Sequence, residues 1–158
     1  MTTTDLTARE RWQAIAAHHQ GPEPIDADLF CLLDLPTDLP ERLPIAEAAE
    51  VTALTAHTLR YYERIGLVRV GRDEAGHRSY DRRALARIVL ITRLRVSGMP
   101  VATISHYVDL VEQGEHTEPQ RLALMQDHRA KIQQQLSDLQ LALAVTDYKI
   151  SVYGGSAT

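Results

Sequence analysis

The chain has 158 residues, enough for one medium domain or a small domain with attachments, and 44% of them are hydrophobic, as in ordinary globular proteins. No apolar run is long enough to span a membrane, no secretory signal opens the chain, and a single cysteine excludes an internal disulfide or a cysteine-rich metal site. The composition therefore predicts a cytoplasmic protein, and it excludes the membrane-bound and disulfide-rich classes.

The net charge of −4 hides an uneven distribution along the chain. Residues 1–42 hold 3 basic and 8 acidic side chains, residues 43–98 hold 10 and 6, and residues 99–158 hold 4 and 7. The basic side chains of the middle block are all arginines, whose forked donors suit phosphates and base edges. This pattern predicts a basic module with acidic attachments.

Residues 1–42 are expected to form an acidic N-terminal extension outside the main fold, partly helical or flexible. An amphipathic helix is predicted from Thr7 to His19. The segment from Asp26 to Leu35 mixes acidic and apolar residues, which suits a partner-binding motif that folds on binding, or a segment that packs on its own dimer or stays loose. Within it, Cys31 is expected to be a small buried residue, with thiol redox sensing as the alternative.

From Ile45 onward the pattern predicts two short helices joined by a turn. The first covers Ile45–Val51 and the second Ala56–Ile65. Thr55 is suited to cap the second helix, and Gly66 stands where a helix often ends with a residue of positive φ. A short helix behind a tight turn is the physical form of a DNA-reading element.

A β-hairpin and two further helices are predicted next. Leu67–Val70 is β-like and can pair across a polar turn with His77–Tyr80, which makes a wing beside the helix pair. Asp81 is expected to cap a helix that runs to about Val96, and Pro100 to open another that runs to about Gln113. The predicted inward-facing residues are Leu85, Ile88, Val89 or Ile91, and Leu94 in the first helix, and Val101, Ile104, Val108 and Val111 in the second.

The last element is a long helix from Glu118 or Pro119 to about Val152. Its apolar residues repeat every seven positions, interrupted by Arg129 and Thr146. This is the pattern of a coiled-coil seam, which needs a partner helix, most simply from a second copy of the chain. The predicted dimerisation residues are Leu122, Met125, Ile132, Leu136, Leu139, Leu143 and Ile150.

Three motifs and the long helix together resemble the MerR family of bacterial transcription regulators. The motifs are TLRYYERIGL from Thr58 to Leu67, AGHRSYD from Ala75 to Asp81, and RLRVSGM ending at Met99. The resemblance begins at Leu43, runs to about Gly114, and continues into the long helix.

The resemblance implies a mostly α fold. A winged helix-turn-helix domain over residues 43–114 would be followed by a dimerisation helix over 115–153 and a flexible tail over 154–158. It further implies a homodimer joined by an antiparallel coiled coil. Such a dimer would bind a palindromic promoter in the nucleoid and control transcription by distorting the DNA for RNA polymerase.

The same resemblance assigns roles to individual residues. Arg60 and Tyr61 match a phosphate-contacting pair, Arg78 and Tyr80 match wing residues, and Ala56 and His57 fall where base edges are faced. The full set of predicted DNA-binding residues is Ala56, His57, Thr58, Arg60, Tyr61, Arg64, Arg72, Arg78 and Tyr80.

Two departures from the family pattern have consequences. Ala53 replaces the usual glycine in the turn, which costs roughly 1 kcal/mol if that position needs positive φ. Thr117 lies near where metal-sensing branches place a ligand cysteine, so thiolate metal sensing is not expected. No other metal site and no cofactor are predicted, and a small-molecule effector remains an open possibility.

The sequence also bears on two other classes of function. The chain could be a protein-interaction module that uses the coiled coil and the acidic extension, with a vestigial helix-turn-helix. An enzyme is not expected, because no nucleophile–base pair, phosphate-binding glycine loop or paired-carboxylate motif is visible.

Overall fold

The computed structural model describes residues 38–156. The chain divides into two compact units, the first ending at Leu94 and the second beginning at Arg95. The elements of the described residues are β1 (Arg42–Pro44), α1 (Ile45–Thr52), α2 (Ala56–Arg64), β2 (Gly71–Arg72), β3 (Arg78–Asp81), α3 (Arg82–Val96), α4 (Val101–Gln113), a 3-10 turn (Glu115–Thr117) and α5 (Glu118–Val152). No helix in this part of the chain is long and apolar enough to cross a membrane.

The first unit contains the predicted helix-turn-helix, formed by α1 and α2. Thr55 precedes α2, and its hydroxyl accepts a hydrogen bond from the Thr58 amide at 3.1 Å, which confirms the predicted cap. Ala53 in the turn has a φ of 54°, so alanine does occupy a left-handed position. Ala48 of α1 is wholly buried.

Gly66 follows the C-terminal end of α2 and has the positive φ that the sequence predicts there. Gly66 has a φ of +77°, and its amide donates to the Glu63 carbonyl while the Leu67 amide donates to the Tyr62 carbonyl. This pair of hydrogen bonds satisfies two of the last carbonyls of the helix and turns the chain sharply. Leu67 then enters the core, where it is fully buried.

A small antiparallel sheet completes the first unit, with its strands in the order β1-β3-β2. The hairpin was predicted, but its first strand is Gly71–Arg72 rather than Leu67–Val70, because Leu67 and Val68 are buried side by side in the core instead of alternating. The strand β1 was not predicted, since its three residues include Pro44. It pairs with β3, and Arg42 lies opposite Asp81 in this pairing. Arg42 is the last residue of the predicted extension 1–42, so the sheet begins one residue before the predicted domain boundary.

The helix α3 begins after Asp81, whose carboxylate accepts a hydrogen bond from the Ala84 amide at 2.8 Å, as the predicted cap requires. The predicted inward residues of α3 are all buried. In α4, Ile104 and Val108 are buried as predicted, but Leu110 is buried where Val111 was expected.

In the second unit, α4 packs against the start of α5. His128 of α5 is buried, and its Nε2 lies 2.7 Å from the Ser97 hydroxyl. Beyond Ile132, most side chains of α5 are exposed. The predicted long helix is confirmed, and its distal part lacks a cover within the described chain.

Candidate nucleic-acid interface

The helix α2 has one buried face and one exposed face. Leu59 and Tyr62 point into the core and are nearly inaccessible, whereas Tyr61 is half-buried. The other face of α2 carries the predicted DNA-binding residues, which are exposed or half-buried: Ala56, His57, Thr58, Arg60, Tyr61 and Arg64. The burial pattern therefore leaves these six side chains available to an external ligand.

Two of these side chains are held in place by their neighbours. The Arg64 guanidinium lies over the Tyr61 ring at 5.5 Å from its centroid, and that ring is tilted against Tyr62 at 6.1 Å. The Thr58 hydroxyl lies 3.0 Å from the hydroxyl of Thr55, the N-cap residue of α2, so one of its hydrogen bonds is already made within the protein. Arg60 is exposed, and no hydrogen bond or ion pair engages it among the described residues.

Glu63 joins α2 to the hairpin. One of its carboxylate oxygens accepts from Arg72 Nη2 at 2.7 Å and the other from Arg78 Nε at 2.5 Å. The Glu63 side chain is 18% exposed, whereas Arg72 and Arg78 are 44% and 35% exposed. The carboxylate thus fixes two hairpin arginines beside α2 while leaving part of each guanidinium open to solvent.

The pKa values in this cluster reflect the two ion pairs. Partial burial alone would raise the pKa of Glu63, but hydrogen bonds and charge from Arg78 and Arg72 outweigh it and hold that pKa below its ordinary value. The hydrogen bond to Glu63 raises the pKa of Arg78 in turn. The Glu63 carboxylate and the Arg78 guanidinium are therefore both charged at neutral pH.

Glu63 was not predicted from the sequence, because cations and aromatic residues, rather than carboxylates, are the groups expected to contact DNA. The sequence does contain one indication of a role for Glu63, since it is the sole acidic residue of a helix that holds two arginines. Its partners, however, lie 9 and 15 residues away in the hairpin, so the pairing depends on the fold. We call the exposed side chains of α2, together with Arg72 and Arg78, the recognition surface.

Tyr80 lies in the core rather than on this surface. Its side chain is fully buried opposite Leu43 in the sheet, and its hydroxyl has no hydrogen-bond partner among the described residues. Burial and the charge of Glu63 raise the pKa of Tyr80, against the opposing effect of the nearby arginines. The predicted DNA contact of Tyr80 is therefore not retained, because the side chain has no exposed surface to offer a phosphate.

The predicted seam of α5 is largely exposed in the single chain. Leu122, Leu136, Leu139 and Leu143 are between 54% and 66% exposed, while Met125, Ile132 and Ile150 are half-buried. A second row of exposed apolar residues lies on the opposite side of the helix, consisting of Leu141, Val145, Tyr148 and Val152.

The position predicted to replace a metal ligand has a structural role. Thr117 is buried, and its hydroxyl lies 2.6 Å from the Leu110 carbonyl oxygen and 2.7 Å from that of Gly114. Within residues 38–156, no group of three or more His, Cys, Asp or Glu side chains could hold a metal ion. The redox candidate Cys31 lies outside the described residues.

Comparison with known proteins identifies relatives over most of the described region. Residues 43–110 match the profile of the MerR HTH family regulatory proteins, and residues 85–145 match a MerR DNA-binding profile. A transcriptional regulator of the HTH type from Haemophilus influenzae is 32% identical over 109 residues, which is 68% of this chain and 81% of that protein. The regulator AdhR of Bacillus subtilis is 36% identical over 56% of this chain and 64% of its own length.

Solved structures show the same similarity. A MerR family transcriptional regulator from Listeria monocytogenes superposes with a TM-score of 0.68 at 34% identity, over 71% of this chain and 86% of that one. HiNmlR, described as a MerR family regulator lacking the sensor domain and solved bound to promoter DNA, superposes with a TM-score of 0.67 at 31% identity, over 72% and 90%.

Proposed function

Because this chain belongs to the MerR family of helix-turn-helix transcriptional regulators, we propose that its recognition surface binds promoter DNA. The observation that carries the proposal is the pairing of Glu63 with Arg72 and Arg78. It holds the hairpin arginines next to the exposed face of α2, so that helix and wing can engage one duplex together. The DNA-bound state of HiNmlR, a relative of similar fold, supports this reading.

Within this surface, different side chains have different tasks. Arg60, Arg72 and Arg78 supply charge to backbone phosphates, which positions the protein but does not read sequence. Ala56 and His57, at the N-terminal end of α2, face base edges in the major groove. The Arg64 guanidinium contributes a further positive charge. Because it lies over the Tyr61 ring, its side chain has less conformational entropy to lose when DNA binds.

We further propose that the active form is a homodimer joined by an antiparallel coiled coil of α5. The exposed leucines of the seam support it, because a 35-residue helix with an uncovered apolar stripe is poorly stable by itself in water. A two-fold dimer presents two α2 helices, and its site is therefore palindromic. Distortion of the DNA between the half-sites would then control the access of RNA polymerase to the promoter.

The proposal is tested by a band-shift assay on the DNA upstream of the protein's own gene. Arg60→Ala should weaken binding to this duplex and to an unrelated one by a similar factor, since a phosphate contact carries no sequence information. Lys131→Ala is the matched control, because it removes one exposed cation on α5 outside both the seam and the recognition surface. Equal affinity of Arg60→Ala and Lys131→Ala at moderate salt would remove Arg60 from the contact set. Absence of any shift by the wild type, even at low salt, would contradict DNA binding itself.

A further inference from the structure

We propose that two copies of α5 pair in a single antiparallel register, in which the two-fold axis passes midway between Leu136 and Leu139 and Arg129 of each chain binds the partner's Asp147. This inference rests on the proposed homodimer and deepens it, because it names the contacts that align the two helices. The alignment bears on function, since the half-site spacing of a dimer follows from how its two chains are joined.

The seam of α5 is symmetric about this midpoint. The helix is continuous from Glu118 to Val152, and its seam positions follow one another in steps of three and four residues. In an antiparallel pair, positions equally far from the two-fold axis face each other. The facing pairs that are apolar on both sides are then Leu136 with Leu139, Ile132 with Leu143, Met125 with Ile150, and Leu122 with Tyr153. The leucines of these pairs are 54–66% exposed in the single chain and Tyr153 is 81% exposed, so the pairing covers side chains that are otherwise open to water.

The two polar interruptions of the seam face each other in the same register. Arg129 and Thr146 lie equally far from the midpoint, so Arg129 of one chain is level with the partner's Thr146. Sliding the partner by one heptad in either direction would instead place both polar residues against apolar ones, which leaves them without a hydrogen-bond partner. A parallel pair in register would bring the two Arg129 side chains together, and like charges repel. Only the proposed register avoids both costs.

Asp147 supplies a counter-charge for Arg129 in this register. Asp147 directly follows Thr146, so it lies only ~1.5 Å along the helix axis from the level of the partner's Arg129. With Arg129 at heptad position a, Asp147 is at position e, and a and e lie on the same side of the seam. The two-fold axis brings this side of one helix against the same side of the other. Asp147 is half-buried and makes no hydrogen bond or ion pair with another residue of the part of the chain that the structure describes.

A contact within the chain already directs Arg129 to this side of the seam. Its Nη1 donates to Gln133 Oε1 at 3.2 Å, and Gln133 is the e residue one turn after Arg129. The guanidinium therefore lies on the e side, where it meets a neutral amide oxygen that is exposed to solvent. A carboxylate from the partner is the stronger acceptor, because both groups are charged and the pairing of two helices removes part of the surrounding water.

The experiment exchanges the two charges in the full chain and measures the dissociation constant of the dimer by analytical ultracentrifugation. Arg129→Glu and Asp147→Arg should each weaken the homodimer about tenfold, because each variant brings like charges together at both ends of the pairing. The double variant restores opposite charges and should dimerise about as tightly as the wild type. An equimolar mixture of the two single variants should form the heterodimer in preference to either homodimer, which native mass spectrometry resolves by mass.

Lys131 and Asp127 provide the matched controls. They form an ion pair at 2.6 Å within α5, are both exposed, and lie outside the seam. Lys131→Glu and Asp127→Lys change the net charge of the chain as Arg129→Glu and Asp147→Arg do. Both control variants should leave the dissociation constant of the dimer unchanged.

A distance measurement tests the register directly. Cys31→Ser removes the natural thiol, and Ala130→Cys places a nitroxide at an exposed position of α5 outside the seam. In the proposed register Ala130 is level with the partner's Val145, so the two labels are about 22 Å apart along the helix axis at ~1.5 Å per residue. A slip of one heptad changes this separation by about 10 Å, and a parallel pair reduces it to about zero. Pulsed electron paramagnetic resonance distinguishes these values.

The outcomes separate the register from the proposed homodimer. If the wild type sediments as a monomer at micromolar concentration, the homodimer itself fails. If the wild type is a dimer but the double variant is as weak as the single ones, or the label distance matches another register, the proposed alignment is overturned and the homodimer remains. Equal weakening by the control variants would trace the effect to net charge, and would also overturn the pairing of Arg129 with Asp147.

Discussion

At Ala53, the conformation of one residue in the turn between α1 and α2 has a measurable cost. Its φ of 54° is in the left-handed region, where a β-carbon is unfavourable by roughly 1–2 kcal/mol. The turn holds this conformation because the Ala53 and Leu54 amides donate to carbonyls of the last turn of α1. The cost falls on stability rather than on binding, since Ala53 lies outside the recognition surface.

We therefore expect Ala53→Gly to stabilise the protein by about 0.5–1 kcal/mol in urea unfolding, after allowance for the greater entropy of glycine in the unfolded chain. The same substitution at Ala49, a half-buried residue in the interior of α1, should instead destabilise by at least about 1 kcal/mol. Opposite signs for the two variants would support the strain at Ala53. A loss of stability in both would contradict it.

Glu63 is the second residue whose role can be measured, through the pH dependence of stability. Its pKa in the folded protein lies below the ordinary value of 4.5, so the ionised carboxylate stabilises the fold above that pH. That contribution is lost as the pH falls through the lowered pKa. Glu63→Gln cannot ionise and lacks the contribution throughout.

The unfolding temperature of Glu63→Gln should be a few degrees lower than that of the wild type at pH 7. This difference in unfolding temperature should narrow steadily as the pH falls below about 4.5. Glu74→Gln, an exposed glutamate in the same hairpin, should show no such gap. A gap that persists unchanged in acid would mean that glutamine disturbs packing, and that the ion pairs to Arg72 and Arg78 contribute little.

Among the elements, α5 presents two apolar faces with different expected roles. The predicted seam includes Leu139, which is 66% exposed, and the opposite face includes Leu141, which is 67% exposed. Equal exposure in the single chain makes these two leucines a matched pair. The heptad pattern assigns partner contacts to the first and not to the second.

Leu139→Glu should convert the protein to a monomer in sedimentation velocity, because a charge in a coiled-coil seam loses apolar contact and its desolvation is uncompensated. Leu141→Glu should leave the mass of the assembly unchanged. Dissociation caused by Leu141→Glu alone would place the interface on the other face of α5 and would contradict the seam.

For the molecule as a whole, an acidic protein is proposed to bind a polyanion, so the local distribution of charge must dominate its net charge. The Debye length is about 8 Å at physiological ionic strength, and acidic groups farther from the duplex than this are largely screened. The recognition surface presents Arg60 and Arg64 on α2 and Arg72 and Arg78 on the hairpin.

A dimer that engages three phosphates per protomer, through Arg60, Arg72 and Arg78, should show a strong salt dependence. The logarithm of its affinity should fall with the logarithm of salt concentration with a slope of about −5, which follows from ~0.9 counterions released per contact. Titrations of a labelled duplex at several salt concentrations measure this slope. A slope near zero would show that these arginines do not contact the DNA backbone.

Local patterns in the sequence were sufficient for most of the elements. Thr55, Gly66 and Asp81 mark helix ends through hydrogen bonds with residues close by in the chain, and each lies where it was expected. The strand β1 was not predicted, because its pairing with β3 joins residues almost forty positions apart. The first strand of the hairpin was misplaced, since Leu67 and Val68 have the composition of a strand but serve as core residues.

The sequence by itself determined the helices, the family resemblance and the candidate residues on α2, because these depend on periodicity, capping and motifs within short stretches. Only the tertiary structure decided that Tyr80 is a core residue and that Glu63 holds Arg72 and Arg78 against α2. Burial and ion pairing depend on which distant segments meet. Tyr61 and Tyr80 are both predicted to contact DNA, but Tyr61 is half-buried on α2 and Tyr80 is fully buried, because the sheet places Tyr80 in the core.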